Sequence, residues 1–319
     1  MKNILIIGGG AMGSAFSIPC IDNKNKVTIT EPYSKKFIRN LSSKNKFHSA
    51  LKVKLPKKLK YRKFSQGLLK ENFDLIVIAI SLSGIDFIGR ELRLQNIKTP
   101  ILVLTKGLKY VKKLNRIFTI SDQLRKIYKL RNIFVLKGPC LAKELAKKNK
   151  TSVIIANKNI NSAKSIGKFI STKYYFIEYS KDVTGIEVSS AIKNIYSMII
   201  GAGQSLNSSS NLYQKSISEM KYLIKYFKGK DETVLGLAGV GDLYVSAAGG
   251  RNSKMGAYLG RGYTFKSAKK KFMPNETVEG EQLAKEIAPF IFKKMNKKKI
   301  PLMTNLLKAI LKNKKLKIN

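Results

Sequence analysis

The first segment of the chain most strongly limits what it can fold into. It runs as a short apolar stretch (Asn3–Ile7), a glycine-rich turn (Gly8–Gly13), a helical stretch (Ala11 to about Ile21) and a second apolar stretch (Val27–Thr30) that ends at Glu31. Strand, G-x-G-x-x-G, helix, strand and acid in this order are typical of a dinucleotide-binding unit. A chance glycine turn is the alternative, but it would not explain why the flanking elements and the acid fall at the required spacing.

Each glycine of this turn has a physical role in such a unit. Gly8 turns the chain, Gly10 lets the backbone approach a pyrophosphate, and Gly13 lets the helix pack on the strand. The N-terminus of a helix favours an anion, and Glu31 stands where a carboxylate binds a ribose. We therefore predict NAD or NADP as the cofactor, and the candidate contacts in this segment are Gly8, Gly10, Ala11, Met12, Gly13 and Glu31.

Five further apolar runs predict the rest of a mostly parallel sheet, because they are short and apolar enough for strands covered on both faces. They are Asp74–Ile80, Pro100–Leu104, Asn132–Leu136, Ser152–Ala156 and Tyr174–Tyr179. Open α/β sheets bind ligands at the carboxyl ends of their strands, which is where Thr105 and Lys106 follow the second of these runs.

After Asp182 the pattern changes to helices interrupted by glycines. The predicted helices are Ile186–Gly201, Tyr213–Tyr226, Val278–Lys294 and Leu302–Lys312. We therefore expect an α/β protein with a Rossmann-type, mostly parallel sheet domain over residues 1–180. An all-helical substrate-binding and catalytic domain follows over residues 181–319. The length of 319 residues also favours two domains.

The charge balance is unusual, with 62 Lys and Arg against 19 Asp and Glu and a formal net charge of +43. Such a charge suggests a nucleic-acid or anionic-membrane partner. The lysines are spread over the whole chain, however, with no basic arm or aromatic-interleaved RNA motif, so we interpret most of them as solvated surface and predict no specific nucleic-acid partner. No run reaches the roughly 18 apolar residues of a membrane helix, so no membrane span is predicted.

The two cysteines and the single histidine bear on which disulfide, metal-binding and catalytic sites the chain can form. Cys20 and Cys140 offer neither a disulfide framework nor a zinc spacing, so we expect a reducing, cytoplasmic compartment. His48 lies in a polar, lysine-rich stretch without a paired Ser or Cys motif. A catalytic triad or a histidine-based metal site is therefore not expected, and no metal is predicted.

Two segments of the helical half suit an anionic substrate. Val240–Asn252 is rich in glycine, and its Arg251 offers the planar fork that grips phosphate or carboxylate, although a solvated surface loop is the more ordinary interpretation of such a segment alone. Lys193 and Asn194 stand side by side in an otherwise apolar helix, where the alternative is a lysine that reaches the surface. A partly desolvated lysine beside other cations would have its pKa lowered towards neutrality, which suits proton transfer at a carbonyl.

Taken together, the motifs resemble those of the bacterial NAD(P)-dependent glycerol-3-phosphate dehydrogenases over nearly the whole chain. The combination of Lys-Asn in a helix, Gly-Asp-Leu and Gly-Arg-Asn is far more specific than the nucleotide turn. The matching segments are Gly8–Gly13, Thr105–Leu108, Gly138–Ala142, Gly185–Asn194, Gly239–Leu243, Gly250–Asn252 and Val278–Gly280.

The resemblance implies reversible hydride transfer between NAD(P)H and C2 of dihydroxyacetone phosphate, which gives sn-glycerol 3-phosphate, a precursor of glycerophospholipids. It implies that Lys193 exchanges the proton of the C2 oxygen and that Asn194 and Lys106 polarise this oxygen. Asp242 would set the charge and orientation of the two lysines and hold a substrate hydroxyl. These four residues are the candidate catalytic set.

Arg251 and Asn252, with Ser246 assisting, would bind the substrate phosphate. The full set of implied substrate contacts is Lys106, Gly138, Cys140, Lys193, Asp242, Ser246, Arg251 and Asn252. Beyond the opening segment, the implied cofactor contacts are Lys106, Ala142, Arg251, Thr277 and Glu279.

The chain departs from the family pattern at several positions. Cys140 stands where the family usually has Ser or Thr, Met12 where an aromatic residue is usual, and Ser81 where a proline usually follows the strand. A thiol in place of a hydroxyl keeps the size but weakens the hydrogen bond.

The departure at Pro32 bears on the cofactor, because many relatives carry Arg or His there for the 2′-phosphate of NADP. Glu31 directly before it would repel that phosphate, so NAD is slightly favoured over NADP, although Lys35 and Lys36 would offset the repulsion.

Two alternatives stay open at this point. A related dehydrogenase of a β-hydroxyacid or of a ketopantoate-like carboxylate also uses a helical lysine and asparagine, whereas a basic nucleic-acid-binding protein on an inactive Rossmann scaffold would explain the charge. The assembly state is left open, with a homodimer as the candidate.

Overall fold

The structure is a computed structural model that describes residues 1–33 and 46–318. It divides into two compact units. Unit 1 comprises Met1–Lys106 and Ile120–Val183, and unit 2 comprises Gly107–Thr119 and Thr184–Asn319. The segment Gly107–Thr119, which lies inside the predicted first domain, therefore groups with the helical residues instead of with the sheet that precedes it.

Twelve strands occur among the described residues. They are β1 (Asn3–Ile7), β2 (Lys26–Glu31), β3 (Phe47–His48), β4 (Val53–Lys54), β5 (Lys60–Lys63), β6 (Leu75–Ile78), β7 (Ile101–Val103), β8 (Leu108–Val111), β9 (Arg116–Thr119), β10 (Ile133–Lys137), β11 (Thr151–Ala156) and β12 (Tyr175–Ser180).

The same part of the chain contains thirteen α-helices. They are α1 (Ala11–Asp22), α2 (Gln66–Lys70), α3 (Ile85–Leu94), α4 (Ile120–Lys126), α5 (Ala142–Ala146), α6 (Ile160–Ile170), α7 (Val183–Gly201), α8 (Leu206–Tyr226), α9 (Asp242–Ala247), α10 (Arg251–Gly260), α11 (Phe265–Phe272), α12 (Glu279–Lys294) and α13 (Pro301–Leu311).

Unit 1 is built on an eight-stranded sheet with the order β12-β11-β10-β7-β6-β1-β2-β5. All neighbouring strands run parallel except β10 and β11. The apolar runs of the sequence become strands of this sheet, of which only β12 lies at an edge. Ile4, Leu5, Ile6 and Ile7 of β1 are fully buried, as expected for a sheet covered on both faces. The prediction of a Rossmann-type, mostly parallel sheet is confirmed.

The elements that the sequence did not predict lack a strong apolar pattern. The edge strand β5 reads Lys-Tyr-Arg-Lys, and charged side chains are a common protection for the open edge of a sheet. The hairpin of β8 and β9 is also polar in part, and the amide of Tyr110 donates to Glu286 Oε1 of α12 at 2.9 Å. The hairpin is thus bonded to a helix of unit 2, the unit to which it belongs.

The core of unit 2 surrounds α7, whose apolar side chains are buried along most of its length. A buried carboxylate, Glu219 of α8, accepts hydrogen bonds from the hydroxyl of Tyr196 on α7 (2.9 Å) and from the amides of Leu302 (2.6 Å) and Met303 (3.0 Å) at the start of α13. Burial raises the pKa of the Glu219 carboxyl. This side chain therefore joins three helices and caps one of them.

Two glycines let α10 lie close against α7. A Cβ atom at Gly256 would come within 1.9 Å of the Met198 carbonyl oxygen, and one at Gly201 within 2.2 Å of the Ser253 carbonyl oxygen. The backbones can approach this closely only because both side chains are absent. Over the described residues, no helix has both the length and the apolar character required to cross a membrane.

Candidate active site

The glycine turn of unit 1 has the backbone that its sequence requires. Gly8 has a φ of +115°, and its N–H donates to the Thr30 carbonyl at 2.8 Å, which ties the end of β1 to β2. A Cβ atom at Gly13 would lie 2.0 Å from the Gly8 carbonyl oxygen, whereas one at Gly10 would meet nothing within 4 Å. Gly13 is thus required by packing, and the space above Gly10, where α1 begins, is open for a ligand.

The Glu31 carboxylate closes one side of this turn. Its Oε2 accepts from the Gly9 amide and its Oε1 from the Tyr33 amide, each at 3.0 Å. Two backbone donors therefore hold the side chain beside the turn in a single orientation. Lys35 and Lys36, which were considered as compensating charges, lie outside the described residues.

His48 also belongs to the turn, which the sequence did not predict. It is only 3% exposed, and its Nε2 lies 3.3 Å from the Gly9 carbonyl oxygen. Its Nδ1 accepts from the Leu51 amide at 3.3 Å, so the ring proton is on Nε2, which donates to Gly9. Burial lowers the pKa of His48. The lysines around it suggested surface, but the buried Leu51 and Leu55 were a signal that this segment packs inward.

The carboxyl ends of β7 and β10 bring the other unit 1 candidates to one edge of the sheet, since these strands are parallel neighbours. Thr105 and the half-buried Lys106 follow β7, and Gly138 (φ +130°) follows β10. Thr105 Oγ1 donates to the Ile80 carbonyl at 2.8 Å. Cys140 and Ala142 are partly exposed in the next turn and at the start of α5.

In unit 2, Lys193 of α7 meets two residues of α9. Its Nζ donates to Asp242 Oδ1 at 2.9 Å and also to Ser246 Oγ. Lys193 is 7% exposed and Asp242 is 3% exposed, so this is a buried ion pair. Asp242 and Ser246 are four residues apart and therefore lie on the same face of their helix. The family resemblance assigned Asp242 to the orientation of this lysine, and the Asp242 carboxylate contacts its ammonium.

A second polar chain begins at the N-terminus of α12. The Gly280 amide donates to Asn252 Oδ1 at 2.9 Å, so the amide nitrogen of Asn252 faces Asn194 and donates to its Oδ1 at 3.1 Å. Asn194 Nδ2 in turn donates to Glu279 Oε2 at 2.9 Å. Because a backbone N–H can only donate, it sets the direction of every bond in the chain.

Arg251 lies at the end of this chain. Its Nη2 is 3.5 Å from Glu279 Oε1, and its side chain is 51% exposed. Thr277 is exposed two residues before α12. Ser246 Oγ, for which the resemblance implied an assisting role at the phosphate, accepts from Lys193 Nζ. Unit 2 thus brings together Lys193, Asn194, Asp242, Ser246, Arg251, Asn252 and Glu279.

The segment Val240–Asn252 is consequently not a surface loop. Most of it forms α9 and the first residues of α10, and Asp242, Ser246 and Asn252 are buried. Among the described residues, no group of three or more His, Cys, Asp and Glu side chains is arranged to hold a metal ion.

Two family models match the chain. The model described as the NAD-dependent glycerol-3-phosphate dehydrogenase N-terminus matches residues 3–163, and the model for the C-terminus of the same family matches residues 182–318.

Individual relatives and solved structures agree with these matches. An NADP(+)-dependent glycerol-3-phosphate dehydrogenase of Archaeoglobus fulgidus is 31% identical over 279 residues, which cover 83% of this chain and 82% of the relative. A glycerol-3-phosphate dehydrogenase (NAD(P)+) of Francisella tularensis subsp. holarctica is 29% identical over 313 residues, which cover 95% and 91%. The structure of Plasmodium falciparum glycerol-3-phosphate dehydrogenase, at 21% identity, matches the fold with a TM-score of 0.86 and covers 100% of this chain and 96% of that chain.

Proposed function

The chain belongs to the NAD-dependent glycerol-3-phosphate dehydrogenase family, and we propose that it catalyses the reversible reduction of dihydroxyacetone phosphate to sn-glycerol 3-phosphate with NAD(P)H. The observation that carries the proposal is the buried cluster of Lys193, Asp242 and Ser246, next to the buried amide of Asn194. An ammonium held by a carboxylate inside a protein is a proton donor of fixed direction. A carbonyl oxygen that becomes an alcohol needs such a donor.

Lys193 Nζ gives a proton to the substrate C2 oxygen on reduction and removes it on oxidation. Asp242 keeps the ammonium oriented and balances its charge in a site with little water. The Asn194 amide carries two N–H bonds, and Glu279 accepts one of them. The other N–H is the donor that we assign to the C2 oxygen, where it would stabilise the developing negative charge. We assign the same role to Lys106.

The residues of unit 1 fit a dinucleotide. The open space above Gly10 accepts a diphosphate at the start of α1, and Glu31 is held where a ribose hydroxyl would bind. When bound, the reduced nicotinamide supplies the hydride for C2. We propose that NAD is favoured over NADP, because a 2′-phosphate would meet the Glu31 carboxylate. Ala142, Arg251, Thr277 and Glu279 are the further cofactor contacts that we propose.

The substrate phosphate is assigned chiefly to Arg251. Its guanidinium is half-exposed and pairs with Glu279 at 3.5 Å, a surface contact that a phosphate can replace at small cost. Asn252 is already hydrogen-bonded at both ends of its amide, so its proposed role is to orient Asn194 as well as to border the phosphate. Binding energy from this phosphate positions C2. A homodimer remains a prediction that light scattering checks.

A direct activity assay on the wild type and two variants tests the proposed function. Purified protein is mixed with dihydroxyacetone phosphate and NADH or NADPH, and oxidation of the nucleotide is followed for the wild type, for Lys193→Met and for the exposed-lysine control Lys215→Met. We expect Lys193→Met to lower kcat by about 10²- to 10⁴-fold, since a positioned acid–base residue contributes about this much. NADH binding should stay within about twofold, because the glycine turn lies in the other unit.

Parallel reactions with ketopantoate and with the oxidised form of a β-hydroxyacid separate the enzyme alternatives. Preference for either carboxylate over dihydroxyacetone phosphate would contradict the proposed substrate. Wild-type protein that oxidises no nucleotide but binds DNA strongly, in a salt-sensitive manner, would favour the nucleic-acid alternative.

A further inference from the structure

A buried lysine that the reaction does not use lies at the carboxyl end of β10. Lys137 is the last residue of this strand and is only 2% exposed. Lysine is among the residue types that are seldom fully buried. The high lysine content of the chain, which is mostly solvated surface, does not explain why one lysine lies inside unit 1. Its surroundings therefore have to account for it.

Its hydrogen bonds point to the neighbouring strand. Lys137 Nζ donates to the Val103 carbonyl at 3.0 Å and to the Thr105 carbonyl at 2.8 Å. The ladder between β7 and β10 ends at the pair Val103 and Val135, so these carbonyls lie at and beyond the last paired residue of β7. A lysine carries three donors and can therefore bind both carbonyls where the partner strand no longer does.

Thr105 is thus held from both sides. The Thr105 hydroxyl donates to the Ile80 carbonyl beyond β6, and the preceding amide, that of Leu104, donates to the Ile78 carbonyl at 2.9 Å. From the side of β10, Lys137 binds the Thr105 carbonyl. The Thr105 carbonyl belongs to the same planar peptide as the Lys106 nitrogen. Fixing this carbonyl therefore fixes the direction in which the Lys106 backbone leaves the sheet.

We propose that Lys137 is a positioning residue for Lys106, which it holds in place through the Val103 and Thr105 carbonyls. We assign it no contact with substrate, because it is buried and the two hydrogen bonds described above are to backbone carbonyls. The proposal rests on the function proposed above for Lys106. Lys137 then governs the chemical step, with little effect on the binding of the nucleotide at the glycine turn.

A double-mutant cycle tests this proposal. Lys137→Met keeps the length and apolar volume of the side chain and removes both bonds, and Lys147→Met, an exposed lysine after α5, is the matched control. We expect Lys137→Met to lower kcat about 10- to 100-fold with the KM for NADH within about twofold, because small misplacements of a catalytic group cost this much. In a Lys106→Met background the same change should lower kcat by less than about threefold.

Lys137→Gln keeps an N–H donor and should retain more activity than Lys137→Met, and it carries the test if Lys137→Met does not fold. Effects of Lys137→Met and Lys106→Met that multiply independently, or a kcat within about twofold of the wild type, would overturn the proposal.

A measurement that does not depend on enzyme activity tests the role of Lys137 independently of the proposed function. The rate at which acetic anhydride acetylates Lys106 is measured by mass spectrometry relative to Lys147. In Lys137→Met the released Lys106 should react at least about threefold faster than in the wild type, and an unchanged rate would count against Lys137. Wild-type protein that leaves dihydroxyacetone phosphate unreduced would instead refute the proposed function, while this measurement still decides the role of Lys137.

Discussion

Asn252 Nδ2 donates to Asn194 Oδ1 across 3.1 Å, and both amides are buried. Since Asn252 Oδ1 is occupied by the Gly280 amide, the orientation of Asn194 depends on the start of α12. The start of α12 thus fixes the orientation of the Asn194 amide, to which we assign a catalytic role, by a route that is not evident along the sequence.

Replacing Asn252 by Asp should disturb Asn194 with little change in volume. A carboxylate oxygen would face Asn194 Oδ1, so the Asn194 amide must turn and its NH2 leaves Glu279. We expect kcat for dihydroxyacetone phosphate to fall by about 10- to 100-fold, and steady-state kinetics checks this. Asn211→Asp, at an exposed position of α8, is the control for the added charge. A kcat within twofold of that control would contradict the orienting role.

The pair of Lys193 and Asp242 should behave as a buried ion pair. Asp242→Asn leaves the ammonium without a countercharge, and we expect the free energy of unfolding in urea to fall by about 3–5 kcal/mol. The double variant Lys193→Met/Asp242→Asn should recover more than half of this loss without recovering activity. Glu281→Gln, which breaks the exposed pair with Lys285, should cost less than about 1 kcal/mol. No recovery in the double variant would argue against a charge-balancing role for Asp242.

His48 gives the fold a defined dependence on pH. Burial lowers its pKa from 6.5 in the folded state, so the unfolded chain binds this proton more readily. The stability contributed by neutral His48 is therefore present above pH 6.5 and is lost as the pH falls towards the lowered value. We expect the melting temperature of the wild type to drop over this range more than that of His48→Gln. The chain has only one histidine, so equal slopes would mean that His48 is not the responsible group.

Substitutions of two glycines in the turn should have different effects, one on the affinity for NADH and the other on the stability of the fold. At Gly10 an alanine Cβ meets nothing within 4 Å, so Gly10→Ala should unfold within about 0.5 kcal/mol of the wild type while the Kd for NADH rises about tenfold or more. At Gly13 the Cβ would lie 2.0 Å from the Gly8 carbonyl oxygen, so Gly13→Ala should lose about 1–3 kcal/mol of stability. Urea unfolding and NADH fluorescence measure the two effects. Normal NADH affinity in Gly10→Ala would exclude a diphosphate from that space.

Glu31→Gln tests the preference between the two nucleotides. The substitution removes the negative charge that a 2′-phosphate would meet and keeps an acceptor for the Gly9 or Tyr33 amide. We expect the ratio of kcat/KM for NADPH to that for NADH to rise about tenfold, which corresponds to about 1.4 kcal/mol of relieved repulsion. An unchanged ratio would assign the discrimination to residues other than Glu31.

Prediction from the sequence succeeded where local pattern and packing agree. The apolar runs became strands of the main sheet, and the glycine turn leads from β1 into α1 with the required positive φ at Gly8. Prediction from the sequence was weaker where polar residues are held by partners that are far away in the sequence. Taken alone, the glycines of Val240–Asn252 suggested a solvated loop, whereas most of the segment is helical and Gly249 has the positive φ (+138°) of a turn between two helices. His48 was placed in a polar, lysine-rich stretch and Lys137 was not singled out, and both are buried.

The sequence by itself determined the dinucleotide-binding turn, the mostly parallel sheet and the family, since these depend on residue types at short, regular spacing. Only the tertiary structure decided that Lys193 meets Asp242 and Ser246, that Asn252 orients Asn194, and that Lys137 binds the carbonyls before Lys106. These contacts join residues about 30 to 60 positions apart. Such pairs form only when packed helices and strands bring their side chains together, because a buried polar group must find its partner wherever the fold places one.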